Sequence, residues 1–242
     1  MVKSFYYSFL ELELEFQIIL VFIGFFGFGS IFLLVFTLIK RQSKLNKIVL
    51  KEEYTLLIEN SIFPFVFDDD EEAVQMLLKN PNYKKKYFKK IAIKYCINLH
   101  KSYTGHMQDK VDEFYKKSGL VDYSRNKLKS SFWEHKIEAI RDLSTLKDFE
   151  SIAQIEKLVQ HRDKKIATES ILALIKLRGI SELVLLRNFK YNLDEWSQVL
   201  ILSVIKSDKI SYNSKIEDLK TSKNKSIQLL SSRIVEFYKL NL

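Results

Sequence analysis

Few side chains in this sequence are placed to do chemistry. The four histidines, His100, His106, His135 and His161, never fall into H-E-x-x-H or a paired spacing on one helix. The zinc-hydrolase arrangement of two imidazoles one turn apart is therefore missing, and they read as ordinary surface or core histidines. The single cysteine, Cys96, has no nucleophile signature around it and reads as a small buried hydrophobe. Loops that cradle phosphate need successive glycines, whereas Gly105, Gly119 and Gly179 lie far apart, and no serine sits in a G-x-S-x-G elbow. The expectation is a non-enzymatic protein, with no catalytic residue, cofactor or metal.

Two charged stretches carry what binding chemistry there is. "DDDEE", Asp68 to Glu72, spaces its carboxylates as the divalent-metal motif of some glycosyltransferases does. That motif ends a strand of a nucleotide-binding sheet, and no sheet is readable here. Asp69, with Glu72 three residues on, reads instead as a helix N-cap, where the dipole favours acids. "YKKKYFKK", Tyr83 to Lys90, interleaves cations with aromatics, so Lys84, Lys85, Lys86, Lys89 and Lys90 form the candidate basic contact surface. Its targets would be membrane headgroups or, less favoured, nucleic acid. The plainer reading is an amphipathic helix with Tyr83, Tyr87, Ile91 and Tyr95 on one face and solvated cations on the other.

The elements that hold these residues begin with an apolar run. From Ile18 to Ile39 there are 22 residues without a charge, about 33 Å of helix against a hydrocarbon core of roughly 30 Å. A cleavable export signal starts with cations and ends in small residues. This run follows acids, contains no alanine and leads into Lys40 and Arg41. It reads as an uncleaved, single-pass anchor in contact with lipid over residues 18–39. Lys40, Arg41, Lys44, Lys47 and Lys51 follow the span, while Lys3 is the one cation before it. Lys and Arg mark the cytoplasmic flank, which places the N-terminus outside and the rest of the chain in the cytoplasm, on the inner membrane. Gly24, Gly27 and Ser30 offer a small-residue stripe to a second helix, or are merely tolerated in a Phe-rich span.

Composition agrees with an all-α chain. Of 242 residues, 47% are apolar and 29% charged, which excludes disorder throughout. Six glycines and two prolines disfavour tight-turned sheets, and one cysteine excludes an internal disulfide. Net charge is +9; residues 1–15 carry −2, so the remainder carries +11, an excess that suits nucleic acid, anionic lipid or an acidic protein.

Along the chain, Pro64 is expected to break the helix that follows the anchor. A long basic helix runs from Pro81 to about Tyr103, and a shorter one ends at Gly119 as its C-cap. Ser131 and Glu134 match the S-x-x-E capping box ahead of Trp133, Ile137, Ile140, Leu143 and Leu146. From there the sequence repeats. "EAIRDLSTL" (138–146), "ESILALIKL" (169–177) and "LILSVIKSD" (200–208) align at an offset of 31, pairing Ile140 with Ile171 and Leu202, and Leu143 with Leu174 and Ile205. Shorter helices, "SIAQIEKLVQ", "SELVLLRNF" and "SKIEDL", fall between them, and "SIQLLSSRIVEFYKL" closes the chain.

The stretch "IEAIRDLSTLKDFESIAQIEKLVQHRDKKIATESILALIKL" resembles HEAT repeats, with Asp163 in the turn and Lys164 or Lys165 where those repeats carry Arg. With "DEFYKKSGLVDYSRNKLKSSFWEHKIEAIRDLSTL" and "EWSQ", the chain resembles bacterial membrane-anchored HEAT-repeat proteins. That resemblance implies a short α-solenoid and a scaffold role through protein–protein contacts, beside the synthesis or export of surface polysaccharide. It carries no catalytic residues. The expected organisation is an extracytoplasmic flank (1–17), a transmembrane helix (18–39), a basic helical region (40–130) and HEAT-like repeats (131–242), with a membrane-associated protein as partner. The alternative is a membrane-tethered basic solenoid that binds nucleic acid.

Overall fold

The apolar run and the polar stretch after it form one helix, α1 (Leu14–Asp68). The computed structural model describes residues 13–240; residues 1–12, including Lys3 and Glu11 of the expected flank, lie outside them. Among the described residues every element is helical, and no strand occurs. The chain divides into two units between Glu53 and Tyr54, inside α1.

In the first unit the apolar side chains have no protein cover: Phe28 is 76% exposed and Phe25 71%. A Cβ placed on Gly24 or Gly27 would meet nothing within 4 Å. This is the one helix among the described residues that is long and apolar enough to cross a membrane.

In the second unit α1 passes through Pro64, correcting the expected break. An interior proline costs about 3 kcal/mol. Phe65 and Val66, just beyond it, are buried with Tyr54, Ile58 and Ile62, and each large apolar side chain recovers roughly 1.5–3 kcal/mol, so packing wins. The helix ends instead where Asp69 adopts φ 57° and the Asp70 N–H donates to the Pro64 carbonyl at 3.2 Å. The cap of α2 (Glu71–Lys79) is Asp70, which accepts from the N–H groups of Glu72 and Ala73, not Asp69 as the spacing suggested. Starting one residue later turns Ala73, Val74 and Leu77 into the core.

The long basic helix is two elements, a 3₁₀ turn (Pro81–Lys84) and α3 (Lys86–Ser102). The buried face of α3 is Phe88, Ala92, Ile93, Cys96 and His100; the expected tyrosine stripe is corrected by about one position. Phe88 decides this register, fully buried with its ring edge-on to Tyr54 at 5.2 Å. Next come α4 (His106–Lys117) and α5 (Leu120–Leu128), with Gly119 at φ 68° between them and its N–H on the Lys116 carbonyl, as a C-terminal glycine requires.

Four further helices begin at near-constant spacing: α6 (Trp133–Thr145), α8 (Lys164–Arg178), α9 (Glu195–Ser207) and α10 (Lys225–Leu240). The starts are 31, 31 and 30 residues apart, extending the period read from three segments to a fourth. Between them lie the expected short elements, mostly as 3₁₀ rather than α-helix. They are a 3₁₀ turn with the single-turn α7 (Ile152–Glu156), and 3₁₀ segments at Ile180–Asn188 and Ser214–Thr221. Helix α6 packs on α8 and α8 on α9, while the two 3₁₀ segments pack on each other and the second also on α10. Ile140, Leu143, Ile171, Leu174 and Ile205 are buried as aligned; in α9 the deepest partner is Ile201 rather than Leu202. The capping box at Ser131 and Glu134 does not form. Helix α6 is capped by Phe132 without a side-chain bond, because the core face of the helix starts it one residue later.

Candidate functional site

The flanking cations Lys40, Arg41, Lys44, Lys47 and Lys51 are all exposed on α1. Lys40, Lys44, Lys47 and Lys51 recur at helical spacing and share one face, where an anionic surface would meet them together. Lys40 lies 5.3 Å over the Phe36 ring, its stem along the apolar span.

The five lysines of "YKKKYFKK" do not form one free surface. Lys85 donates to Asn82 Oδ1 at 2.7 Å and sits 5.8 Å over Tyr54; Lys89 lies 4.8 Å over Tyr83; Lys90 is 3.6 Å from Glu138. Lys84 and Lys86 remain exposed without a charged partner among the described residues. Most of the segment's cations hold the 3₁₀ turn, α3 and α6 together.

Cys96 and His100 stand one turn apart on α3, and both are buried. Burial pushes the Cys96 thiol well up, foremost by desolvation, so no thiolate forms at neutral pH. His100 Nδ1 lies 2.6 Å from Asp112 Oδ1, and the Gln108 amide donates to the His100 carbonyl at 2.8 Å. Lys147 reaches within 3.8 Å of Asp112 Oδ2. The group ties α3, α4 and the α6–α7 turn together in the core. Among the described residues no cluster of three or more His, Cys, Asp or Glu is placed to hold a metal.

Two surface features went unread in the sequence. A cavity of about 200 Å³ between α3, α5 and α6 is lined by Lys90, Lys94, Tyr123, Lys127, Glu138 and Asp142. Asp142 is 7% exposed, and desolvation raises its carboxyl from 3.8 to about 7. The signal was present: Asp142 is three residues from Ala139 and beside Leu143, hence on the core face of α6. The second is a groove of about 430 Å³ along α3, α6, α8 and α9. Ile97, Leu172, Ala173, Leu200 and Val204 supply its apolar lining, and Lys101, Arg141, Glu169 and Lys176 its polar lining. Arg141 and Glu169 pair across α6 and α8. Beyond the groove α9 exposes Trp196 at 70% and Val199 at 50%.

Among the described residues, fold and surfaces define an all-α protein with one helix long and apolar enough to cross a membrane and a helical unit that presents an open groove and a charged cavity. Family models, curated proteins and solved structures give no match to this chain.

Proposed function

We propose that the protein is a membrane-anchored, non-enzymatic scaffold of HEAT-like repeats whose groove along α3, α6, α8 and α9 docks a protein partner. The carrying observation is the near-constant spacing of four helix starts. Helices α6, α8 and α9 pack in succession, and together with α3 they border the groove with its apolar floor and mixed charged rim. Exposed Trp196 and Val199 on the same helix add the kind of large side chains that anchor interfaces. The helix of α1 supplies the anchor, and the shared face of Lys40, Lys44, Lys47 and Lys51 supports an N-terminus outside and a cytoplasmic repeat unit in the inner membrane. A partner in surface polysaccharide synthesis or export comes from the resemblance alone. The nucleic-acid alternative draws less support, because Lys85, Lys89 and Lys90 are engaged within the fold.

Photo-crosslinking tests the reading. A crosslinkable residue placed at Lys101 or Lys176 in the groove is expected to capture a discrete membrane-fraction partner, and one at exposed Asp218 is not. Equal capture from all three positions, or none from the groove, refutes it.

A further inference from the structure

The turns before α8, α9 and α10 line one edge of the repeat unit and are laced to each other. Tyr191 Oη donates to the His161 carbonyl at 2.7 Å, and Asn224 Nδ2 to the carbonyls of Phe189 and Tyr191 at 3.0 and 2.8 Å. Ser222 Oγ donates to the Arg187 carbonyl, and the Leu193 N–H to Ser226 Oγ. At the first two steps the N-caps are acids, Asp163 and Asp194, and the cations are matched. Lys164 pairs with Asp194 at 2.8 Å, and Lys165 lies 4.6 Å over Trp133. At the third step the equivalent cap is the neutral Asn224, whose Oδ1 accepts the Ser226 N–H.

There the edge opens into a cleft of about 550 Å³ between residues 187–192 and 223–226. Arg187, Lys190, Lys223 and Lys225 line it, with the side-chain amides of Asn188 and Asn192, and no carboxylate does. None of the four cations has a carboxylate partner among the described residues, while elsewhere in this unit ion pairs are plentiful. The walls are joined by the hydrogen bonds above, so the backbones that carry the four cations are fixed on either side of one cleft, where like charges repel. A multivalent anion relieves that repulsion, and the volume is within the roughly 300–1,000 Å³ of small-molecule sites. Arg187 supplies a planar fork matched to phosphate, and the lysines supply point charges.

We propose that this cleft binds a phosphate-bearing ligand of at least two negative charges. The source is a free organic phosphate or a phospholipid headgroup, and the recognition is the same for both. The site is separate from the docking groove and stands whether or not a protein docks there.

Full-length protein in phosphatidylcholine nanodiscs, titrated with pyrophosphate by calorimetry at low ionic strength, tests it. Saturable one-to-one binding that weakens with added salt is expected. The double variant Arg187→Ala/Lys223→Ala is expected to weaken it by about tenfold or more, an energy of the size carried by charged hydrogen bonds. Asn192→Asp, which places a carboxylate in the cleft, does the same. All three positions are exposed, and an unchanged melting curve by circular dichroism confirms folding. The control Lys84→Ala/Lys86→Ala, removing exposed cations elsewhere, leaves binding intact. No saturable binding by the wild type, or equal weakening by the control, overturns the proposal. Repeating the titration in nanodiscs that contain cardiolipin, whose headgroup carries two phosphates, separates the sources: loss of pyrophosphate binding there assigns the cleft to a lipid headgroup, and retention assigns it to a free phosphate.

Discussion

Replacing Asp142 by Asn is expected to stabilise the helical unit above neutral pH and to abolish part of its pH dependence. The carboxyl is 7% exposed and accepts no hydrogen bond from the protein among the described residues. Lys90 and Lys94 face it from α3, Tyr123 and Lys127 from α5, Glu138 and Arg141 from its own helix, and Glu169 and Lys176 from the α8 side of the groove. Desolvation outweighs the attraction of the nearby cations and lifts the group from 3.8 to about 7. The folded state thus binds a proton that the unfolded state has released. Stability falls as pH rises from about 4 to 7, and levels off above it. Each pKa unit is about 1.4 kcal/mol, and at pH 7 the folded group is still half protonated, so moving from pH 5 to pH 7 costs the wild type about 2 kcal/mol at this residue. For a unit of this size that is a fall in Tm of about 4–8 °C. Asn keeps the shape of the protonated acid and carries no charge, so the variant escapes this fall. Thermal melts of the full-length protein in detergent micelles, followed at 222 nm from pH 5 to 8, measure both slopes. Parallel curves for wild type and Asp142→Asn, or a variant less stable than wild type at pH 8, refute the reasoning.

Three other outcomes follow from particular contacts. Asp112→Ala removes the 2.6 Å partner of buried His100 and the neighbour of Lys147, and is expected to destabilise by about 1–3 kcal/mol in denaturant titration. Gly119→Ala puts a Cβ 3.4 Å from Tyr83 Oη at φ 68° and is expected to cost roughly 1–2 kcal/mol. For topology, buried Cys96 stays silent to an impermeant thiol reagent on either side of a membrane, so it cannot report the orientation. Glu13→Cys is expected to label in intact cells and Asp218→Cys only after lysis; the reverse pattern inverts the proposed orientation.

The corrections to the expected elements share one cause. Local signals at helix starts differ by about 1 kcal/mol between neighbouring positions. Asp69 and Asp70 are equally good caps in isolation. Ser131 with Glu134 is a better capping pattern than Phe132. What chooses among them is the rotation that brings Val74 and Leu77, or Ile137 and Ile140, into the core, and each buried side chain is worth more than the cap. Pro64 and the face of α3 were decided the same way, by Phe65 and Phe88. Period and composition are less fragile, since they sum over many residues, and the recurrence at an offset of 31 is legible in the sequence itself.

The sequence by itself determined what depends on neighbours along the chain: an all-helical protein, a charge-free run of membrane-spanning length, its flanking cations and the recurrence of helices. Tertiary structure alone decided which charges are compensated. The conspicuous lysines of "YKKKYFKK" turned out largely engaged with Asn82, Tyr83 and Glu138, whereas Arg187, Lys190, Lys223 and Lys225, scattered in the sequence, share one cleft without an acid. Ion pairing and burial act through space between residues some 30 or more positions apart, so only the packing of the helices and turns could show which cations share a cleft and which find an acid.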